Sequence, residues 1–332
     1  MNYKSIGVIG AGAWGTALAQ SFARNGLAVT LWAFEPEVVA SITARRINEL
    51  YLPSIVLHEG IKPTGSFNEA AACDAIVLVV PTQHVAKTLE KHAAQVPGAT
   101  PILIASKGIE ISTGRLISQI VSGLLPHNPV GVLSGPSFAA EVARDLPAAL
   151  TLAMQESHSA IAYALTESLS SPHFRLYVSD DVIGVQVGAA VKNVIAIACG
   201  VASGKQMGDN ARAALLTRGL AEMVRLGVAM GAQPETFLGL SGLGDLTLTC
   251  NAMQSRNFSL GVAIGQGKRA ADVLAERASV AEGYYTAEAV VKLARGLGVE
   301  MPICEAVYET LYKEKAIDYV IKHLLSRPVT HE

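Results

Sequence analysis

The chain has 332 residues, of which 50% are hydrophobic and 16% charged, and a formal net charge of -2. That length allows two domains with a large core, and the near-neutral balance removes the electrostatic case for binding nucleic acid or an anionic membrane. Charged content is below that of an average soluble chain, a composition that fits surface buried between copies, so a homo-oligomer is expected.

Ser5–Ile9 reads as a short buried strand. It runs directly into Gly10-Ala11-Gly12-Ala13-Trp14-Gly15 and then a helical stretch over 16–25, with Gly26 as its stop. This is a G-x-G-x-x-G pattern with a strand before it and a helix after it, the context that makes it specific for a dinucleotide. Gly10 permits the tight turn, Gly12 lets the backbone approach a pyrophosphate, and Gly15 lets the helix pack closely on the strand. The helix start adds amide donors and a positive dipole end. A tight turn with no ligand is the plainer reading of the same residues.

Ala28–Trp32 is the second strand. Glu35 falls where an acidic residue takes the ribose 2′-hydroxyl, yet with Pro36 behind it Glu35 reads equally well as a helix cap. Arg45 and Arg46 follow on the next helix and offer themselves to a 2′-phosphate or to solvent. NAD and NADP both remain open as cofactor. An uninterrupted β-branched run over 75–80 predicts a strand covered on both faces, with a helix over 83–95 after Pro81. Further strands are expected at 101–105, 130–133, 148–153 and 174–178, with a helix over 156–169. Strands alternating with helices predict a doubly wound (Rossmann) α/β sheet, whose ligands lie beyond the carboxyl ends of the strands. Gly10, Pro81, Lys107 and Ser137 would lie along that edge. Lys107 is therefore a candidate contact for substrate or cofactor, the alternative being a solvated loop lysine.

Val182–Gly204 carries a single charge, Lys192, among apolar and small residues. A helix apolar on all sides is buried, and a buried ammonium needs a partner or a lowered pKa. A bilayer span needs roughly twenty apolar residues, which Lys192-Asn193 interrupts at the centre, so no membrane insertion is expected. Two readings of Lys192 remain: a structural pair with a carboxylate, or a proton donor and acceptor. From about 183 the strand pattern stops and helices follow over 210–230, 256–264, 286–295, 302–313 and 316–325. The chain is thus expected to hold a dinucleotide-binding domain over 1–182 and an all-α helical domain for substrate and catalysis over 183–332.

Polar groups gather in the helical half at Asn210-Ala211-Arg212, at Gly242-Leu243-Gly244-Asp245 with Thr247 and Thr249, and at Ser255-Arg256-Asn257. Asp245 is the natural carboxylate for Lys192. Arg256 in a first helical turn opposes the helix dipole, a conflict that a bound phosphate resolves. A dinucleotide site, a buried amine and an anion clamp together point to hydride transfer to a ketone bearing a phosphate. The amine then gives a proton to the carbonyl oxygen as charge develops there.

Those residues make the chain similar to a known family, the soluble NAD(P)-dependent glycerol-3-phosphate dehydrogenases of bacterial type. The resemblance runs from Ser5 to Leu325 through residues 10–18, Asn48, Leu52-Pro53, Ser106-Lys107-Gly108, Ser134-Gly135-Pro136-Ser137-Phe138, 188–197, 208–211, 217–227, 242–245, 255–257 and Glu282-Gly283. It implies Lys192 as the proton donor and acceptor and Lys107 as a contact to both substrate and nicotinamide. It implies that Gly135, Ser137, Asp245, Ser255, Arg256 and Asn257 surround the glycerol phosphate. Trp14, Phe34, Ala139, Val280 and Glu282, with the glycine loop and its Ala13, would line the cofactor, and Arg256 would touch it too. It further implies a homodimer that supplies sn-glycerol 3-phosphate for phospholipid synthesis. Ala13 departs from the serine frequent in the family, and Phe34 from a basic or imidazole side chain. The loop at 203–207 is unusual for the family.

Two other readings fit the same residues: a β-hydroxyacid-type dehydrogenase whose Arg256 grips a carboxylate, and a non-catalytic module that senses NAD(P)H. Cys73, Cys199, Cys250 and Cys304 show no paired spacing, and the eight histidines form no metal motif. Scattered thiols fit a reducing cytoplasm. Ser5–Ile9 is too short for the apolar core of a signal peptide.

Overall fold

The structure is a computed structural model, which describes residues 3–276 and 281–328. The chain divides into two compact units, residues 1–107 with 115–186, and residues 108–114 with 187–332.

The first unit is built on an eight-stranded sheet. In chain order it contains β1 (Ser5–Ile9), α1 (Ala13–Arg24), β2 (Ala28–Trp32), α2 (Pro36–Arg45), β3 (Ile61–Thr64), α3 (Phe67–Ala71), β4 (Ala75–Leu78), α4 (Val85–His92) and β5 (Ile102–Ile104). There follow α5 (Ile117–Leu124), β6 (Val130–Ser134), α6 (Ala139–Ala143), β7 (Ala148–Met154), α7 (Ser159–Leu169) and β8 (Phe174–Ser179). The strand order is β3-β2-β1-β4-β5-β6-β7-β8. Every neighbouring pair is parallel except β6 with β7, where Gly131 faces Met154 in antiparallel register.

Alternation along each strand supplies two cores, because successive side chains leave opposite faces of a sheet. Ile6, Val8, Val29, Leu31, Val77 and Leu103 pack with Leu18, Phe22, Val142 and Leu165. Ile9, Trp32, Ile76, Leu78, Ile102 and Ile104 pack with Phe67, Leu89, Ile117 and Val121 on the other side. Each fully buried side chain of this size contributes roughly 1.5–3 kcal/mol, so both faces must be covered for the sheet to persist. Gly7 lets α3 come down onto β1: a Cβ there would lie 1.9 Å from the carbonyl oxygen of Ala70.

Some boundaries differ from those expected. Strand β4 stops at Leu78, before Pro81. The stretch 83–95 is α4 flanked by 3-10 turns at Thr82–His84 and Ala93–Gln95. Helix α1 begins at Ala13, so Trp14 and Gly15 sit in its first turn.

The second unit is helical: α8 (Val182–Gly204, entering from the first unit), α9 (Asp209–Ala229), α10 (Asp245–Asn251), α11 (Arg256–Gly265), α12 (Ala270–Ala275), α13 (Glu282–Leu297), α14 (Pro302–Tyr312) and α15 (Ile317–Leu325). Among the described residues α8 alone is long and apolar enough to cross a bilayer, and most of it is buried inside the protein. Small residues let its neighbours in. Gly200 and Gly204 meet Gly261 and Gly265 of α11, and a Cβ at Gly200 would lie 2.1 Å from the carbonyl oxygen of Phe258. Residues of α8, α9, α14 and α15 line a cavity of about 1430 Å³.

Candidate active site

In the first unit, the turn after β1 is shaped by its glycines. Gly10 has φ of 117° and its amide donates to the carbonyl of Trp32 at 3.1 Å. A Cβ on Gly10 would meet the carbonyl group of Val79 at 2.9 Å, and one on Gly15 would sit 1.9 Å from Gly10's own oxygen. Gly12 differs, because a Cβ there would meet nothing within 4 Å. The loop thus closes tightly at Gly10 and Gly15 and stays open at Gly12, the position that lets a pyrophosphate approach. No side chain caps α1 at Gly12, and its first turn holds no acid, so the positive end of the helix is kept for an anion.

A buried amide braces this loop. Asn48 is fully buried and donates to the carbonyl of Ala11 and to Thr16 Oγ1, both at 2.8 Å. Thr16 Oγ1 in turn donates to Ala11 at 3.1 Å. The return stretch after α2 therefore holds the glycine turn from behind.

Along the carboxyl edge of the sheet, Lys107 Nζ donates to the carbonyl of Gly135 at 3.4 Å and lies 6.0 Å from the ring centre of Trp14. Ser137 Oγ donates to the same carbonyl at 3.0 Å. Gly135 has φ of 154°, and a Cβ on it would lie 2.8 Å from Cα of Leu150. Ser106 Oγ donates to Val80 at 2.6 Å and so ties the start of the Lys107 turn to the end of β4. Trp14, Lys107, Gly135 and Ser137 are thus brought together beside the glycine loop, and Ala139 opens α6, which packs along α1. The buried Nε1 of Trp14 has no hydrogen-bond partner among the described residues. An open cradle at Gly12, an uncapped helix start and this orphaned donor fit a dinucleotide.

Phe34 is 78% exposed beyond β2. Glu35 stands at the N-cap position of α2 with Pro36 at N1, as expected, and its carbonyl accepts the amide of Val38 at 3.1 Å. Its side chain makes no cap bond, and its Oε1 instead accepts from the hydroxyl of Tyr51 at 3.0 Å. Burial first, and that carboxylate second, push Tyr51 up to about 12.

In the second unit, Lys192 is buried and its Nζ donates to Asp245 Oδ1 at 2.6 Å and to Thr249 Oγ1 at 2.9 Å. Thr249, one turn after Asp245 on α10, donates to the Asp245 carbonyl at 2.6 Å. The approach that makes this pairing possible is set by glycine: at Gly188, one turn ahead of Lys192, a Cβ would lie 2.5 Å from the carbonyl oxygen of Ser241. The stretch Leu240–Gly244 is a wide π-helical turn that delivers Asp245 to α10. A buried ammonium thus has a carboxylate and a hydroxyl within reach, as the cost of desolvation requires.

Ser255 caps α11, its Oγ accepting from the amide of Phe258 at 3.2 Å. Arg256 in that first turn is exposed, while Asn257 is buried. Asn257 joins three helices: its Nδ2 donates to Asn193 Oδ1 at 2.8 Å, and its Oδ1 accepts from the amide of Gly283 at 3.0 Å. Glu282 opens α13 beside that contact. Val280 lies outside the described residues. Arg212 near the start of α9 bonds Asp209 and Asn251.

Sequence reasoning passed over Asn193, Asn48 as a brace, and Thr249 as a partner of Lys192. The signal for Thr249 was its spacing of four residues from Asp245, which places both on one helix face.

Two family models match successive parts of the chain. The family model described as NAD-dependent glycerol-3-phosphate dehydrogenase N-terminus matches residues 5–160, and its C-terminus counterpart matches residues 181–322. The glycerol-3-phosphate dehydrogenase [NAD(P)+] of Caulobacter vibrioides is 51% identical over 332 residues, covering 100% of both chains. That of Parvibaculum lavamentivorans is 51% identical over 330 residues, covering 99% of this chain and 98% of the relative. A crystal structure of glycerol-3-phosphate dehydrogenase from Coxiella burnetii superposes with a TM-score of 0.94 at 37% identity, covering 98% of this chain and 99% of that one.

Proposed function

The chain belongs to the NAD-dependent glycerol-3-phosphate dehydrogenase family, and from that premise we propose how its residues perform the reaction. It is an NAD(P)-dependent oxidoreductase that interconverts dihydroxyacetone phosphate and sn-glycerol 3-phosphate. The bound nicotinamide supplies or accepts the hydride.

The proton is the task of Lys192. As dihydroxyacetone phosphate is reduced, negative charge develops on its carbonyl oxygen, and an ammonium in hydrogen-bond reach stabilises that charge and passes on a proton. Asp245 and Thr249 hold the amine in place. The observation that carries this reading is a buried ammonium 2.6 Å from a carboxylate on the opposing helix. Lys107, with Gly135 and Ser137, contacts the substrate and the nicotinamide end of the cofactor. Ser255, Arg256 and Asn257 receive the phosphate at the start of α11, where amide donors and a guanidinium suit a dianion. Within the first unit the glycine loop with Ala13, Trp14, Phe34 and Ala139 surrounds the cofactor.

The product supplies phospholipid synthesis, and the protein works as a soluble homodimer in the cytoplasm. Association into a homo-oligomer is supported by the low charged content of 16%, and sedimentation velocity returning a monomer at micromolar concentration would remove the dimer. The reaction itself is tested by steady-state turnover of dihydroxyacetone phosphate. Failure on that ketone, with turnover of a 2- or 3-keto acid instead, would reassign the chain to a β-hydroxyacid dehydrogenase.

A further inference from the structure

The two nicotinamide dinucleotides differ by one phosphate on the adenosine ribose, which a doubly wound sheet meets just beyond its second strand. The choice between them, which rests on the dehydrogenase reading above, is legible at that point. Beyond β2 the chain runs Ala33-Phe34-Glu35-Pro36-Glu37, with a ring and two acids but no cation. The Glu35 carboxylate is held by the Tyr51 hydroxyl at 3.0 Å.

All three lysines and arginines between residues 28 and 64 already have partners. Arg45 pairs with Glu49. Arg46 donates to the carbonyl of Ile61 at 2.9 Å and to that of His58. Lys62 pairs with Glu69 at 2.7 Å. Position also removes Arg45, which ends α2 nine residues after Pro36, about 14 Å along the axis at 1.5 Å per residue. An arginine bonded to two carbonyls holds the turn it sits in, and moving it to a ligand would give up both bonds.

A 2′-phosphate brings up to about two negative charges and is recognised by cations, above all by an arginine fork. Here it would meet Glu35 and Glu37. A 2′-hydroxyl is a donor, and an ionised carboxylate is an acceptor only. We propose that the first unit selects NADH over NADPH, with Glu35 as the discriminating acceptor and Tyr51 as the residue that orients it.

The test is direct binding without substrate: titrate the full-length protein with NADH and with NADPH and follow nicotinamide fluorescence. NADH is expected to bind at least about tenfold more tightly, which is about 1.4 kcal/mol. Tyr51→Phe should narrow that gap, and Phe34→Arg with Glu35→Gln should close or reverse it. Equal affinities in the unaltered protein, or a gap untouched by the double variant, overturn the proposal. Tighter NADPH binding together with turnover of dihydroxyacetone phosphate overturns it and leaves the dehydrogenase reading intact. Selective NADH binding with no turnover leaves it standing and removes that reading.

Discussion

Lys192 Nζ lies 2.6 Å from Asp245 Oδ1, with the two side chains 6% and 1% exposed. Burying both charges is costly, and breaking such a pair by removing one partner leaves the other uncompensated, at about 3–5 kcal/mol. Asp245→Ala should therefore lower unfolding free energy by about that amount, read by urea denaturation. Replacing both residues, Lys192→Met with Asp245→Leu, should cost less than either single change, because two apolar groups of similar volume leave no orphan charge. Stability recovered without activity separates the chemical role of the pair from its structural one. In Lys192→Met, kcat should fall at least about 10²-fold, as for a lost general acid, while the dissociation constant for the cofactor stays unchanged. Near-normal turnover would leave only the structural pair.

The glycine loop offers a contrast between two alanines. Gly12→Ala places a methyl in open space, at a backbone φ of -63° that any residue adopts. Thermal unfolding without ligand should be unchanged, and dinucleotide affinity should drop, because the methyl occupies the approach of the pyrophosphate. Gly15→Ala drives its methyl into the Gly10 carbonyl oxygen at 1.9 Å, so the fold itself should lose stability by about 1–3 kcal/mol as for overpacking. If calorimetry finds both variants equally stable, the assignment of the two glycines to ligand approach and helix packing is wrong.

Much of this was legible before any coordinates. Strand β1, the glycine turn and the buried helix around Lys192 each carry a pattern whose local physics points one way. Asp245 was identifiable as a partner because a buried amine demands a carboxylate and few acids sit in apolar surroundings. Strand β3 escaped because Pro63 interrupts it, and such a strand is tolerated at an edge, where the sheet order places it. The reversed direction of β7 was hidden as well, since both it and β6 are apolar runs whose side chains do not encode orientation. Glu35 is the cap residue that Pro36 marks, but the use of its carboxylate was hidden, because the hydroxyl that engages it is sixteen residues away. Asn48 carries no local signature of its role, which exists only once the return stretch closes behind the turn.

Arg256 heads a helix already capped by Ser255 and with no acid in its first turn. Removing its guanidinium in Arg256→Ala should raise KM for dihydroxyacetone phosphate more than it lowers kcat, since the lost contact is to the phosphate and not to the reacting carbon. The single measurement is a pair of saturation curves at fixed cofactor. An unchanged KM would move the phosphate elsewhere.

Glu222 shows how a charge the reaction does not use still sets behaviour with pH. It is 1% exposed on α9, on the wall of the cavity in the helical unit. Its carboxylate accepts the amides of Ile303 at 2.6 Å and Cys304 at 3.1 Å, at the start of α14. Burial raises it from 4.5 to about 7, against the lowering effect of those two amides. The folded state thus holds this proton more tightly than the unfolded chain does, so stability falls as pH rises from about 4.5 to about 7 and levels off above that. The loss over that window is of the order of 3 kcal/mol. Glu222→Gln cannot ionise, and it should flatten this part of the curve, although its amide nitrogen cannot accept from Cys304 and the variant should be somewhat weaker at pH 5. Urea denaturation of both proteins at pH 5 and pH 8 gives the answer. A wild-type protein that gains stability between those values relative to the variant would mean that the carboxylate is held ionised by the helix start, with burial the smaller effect.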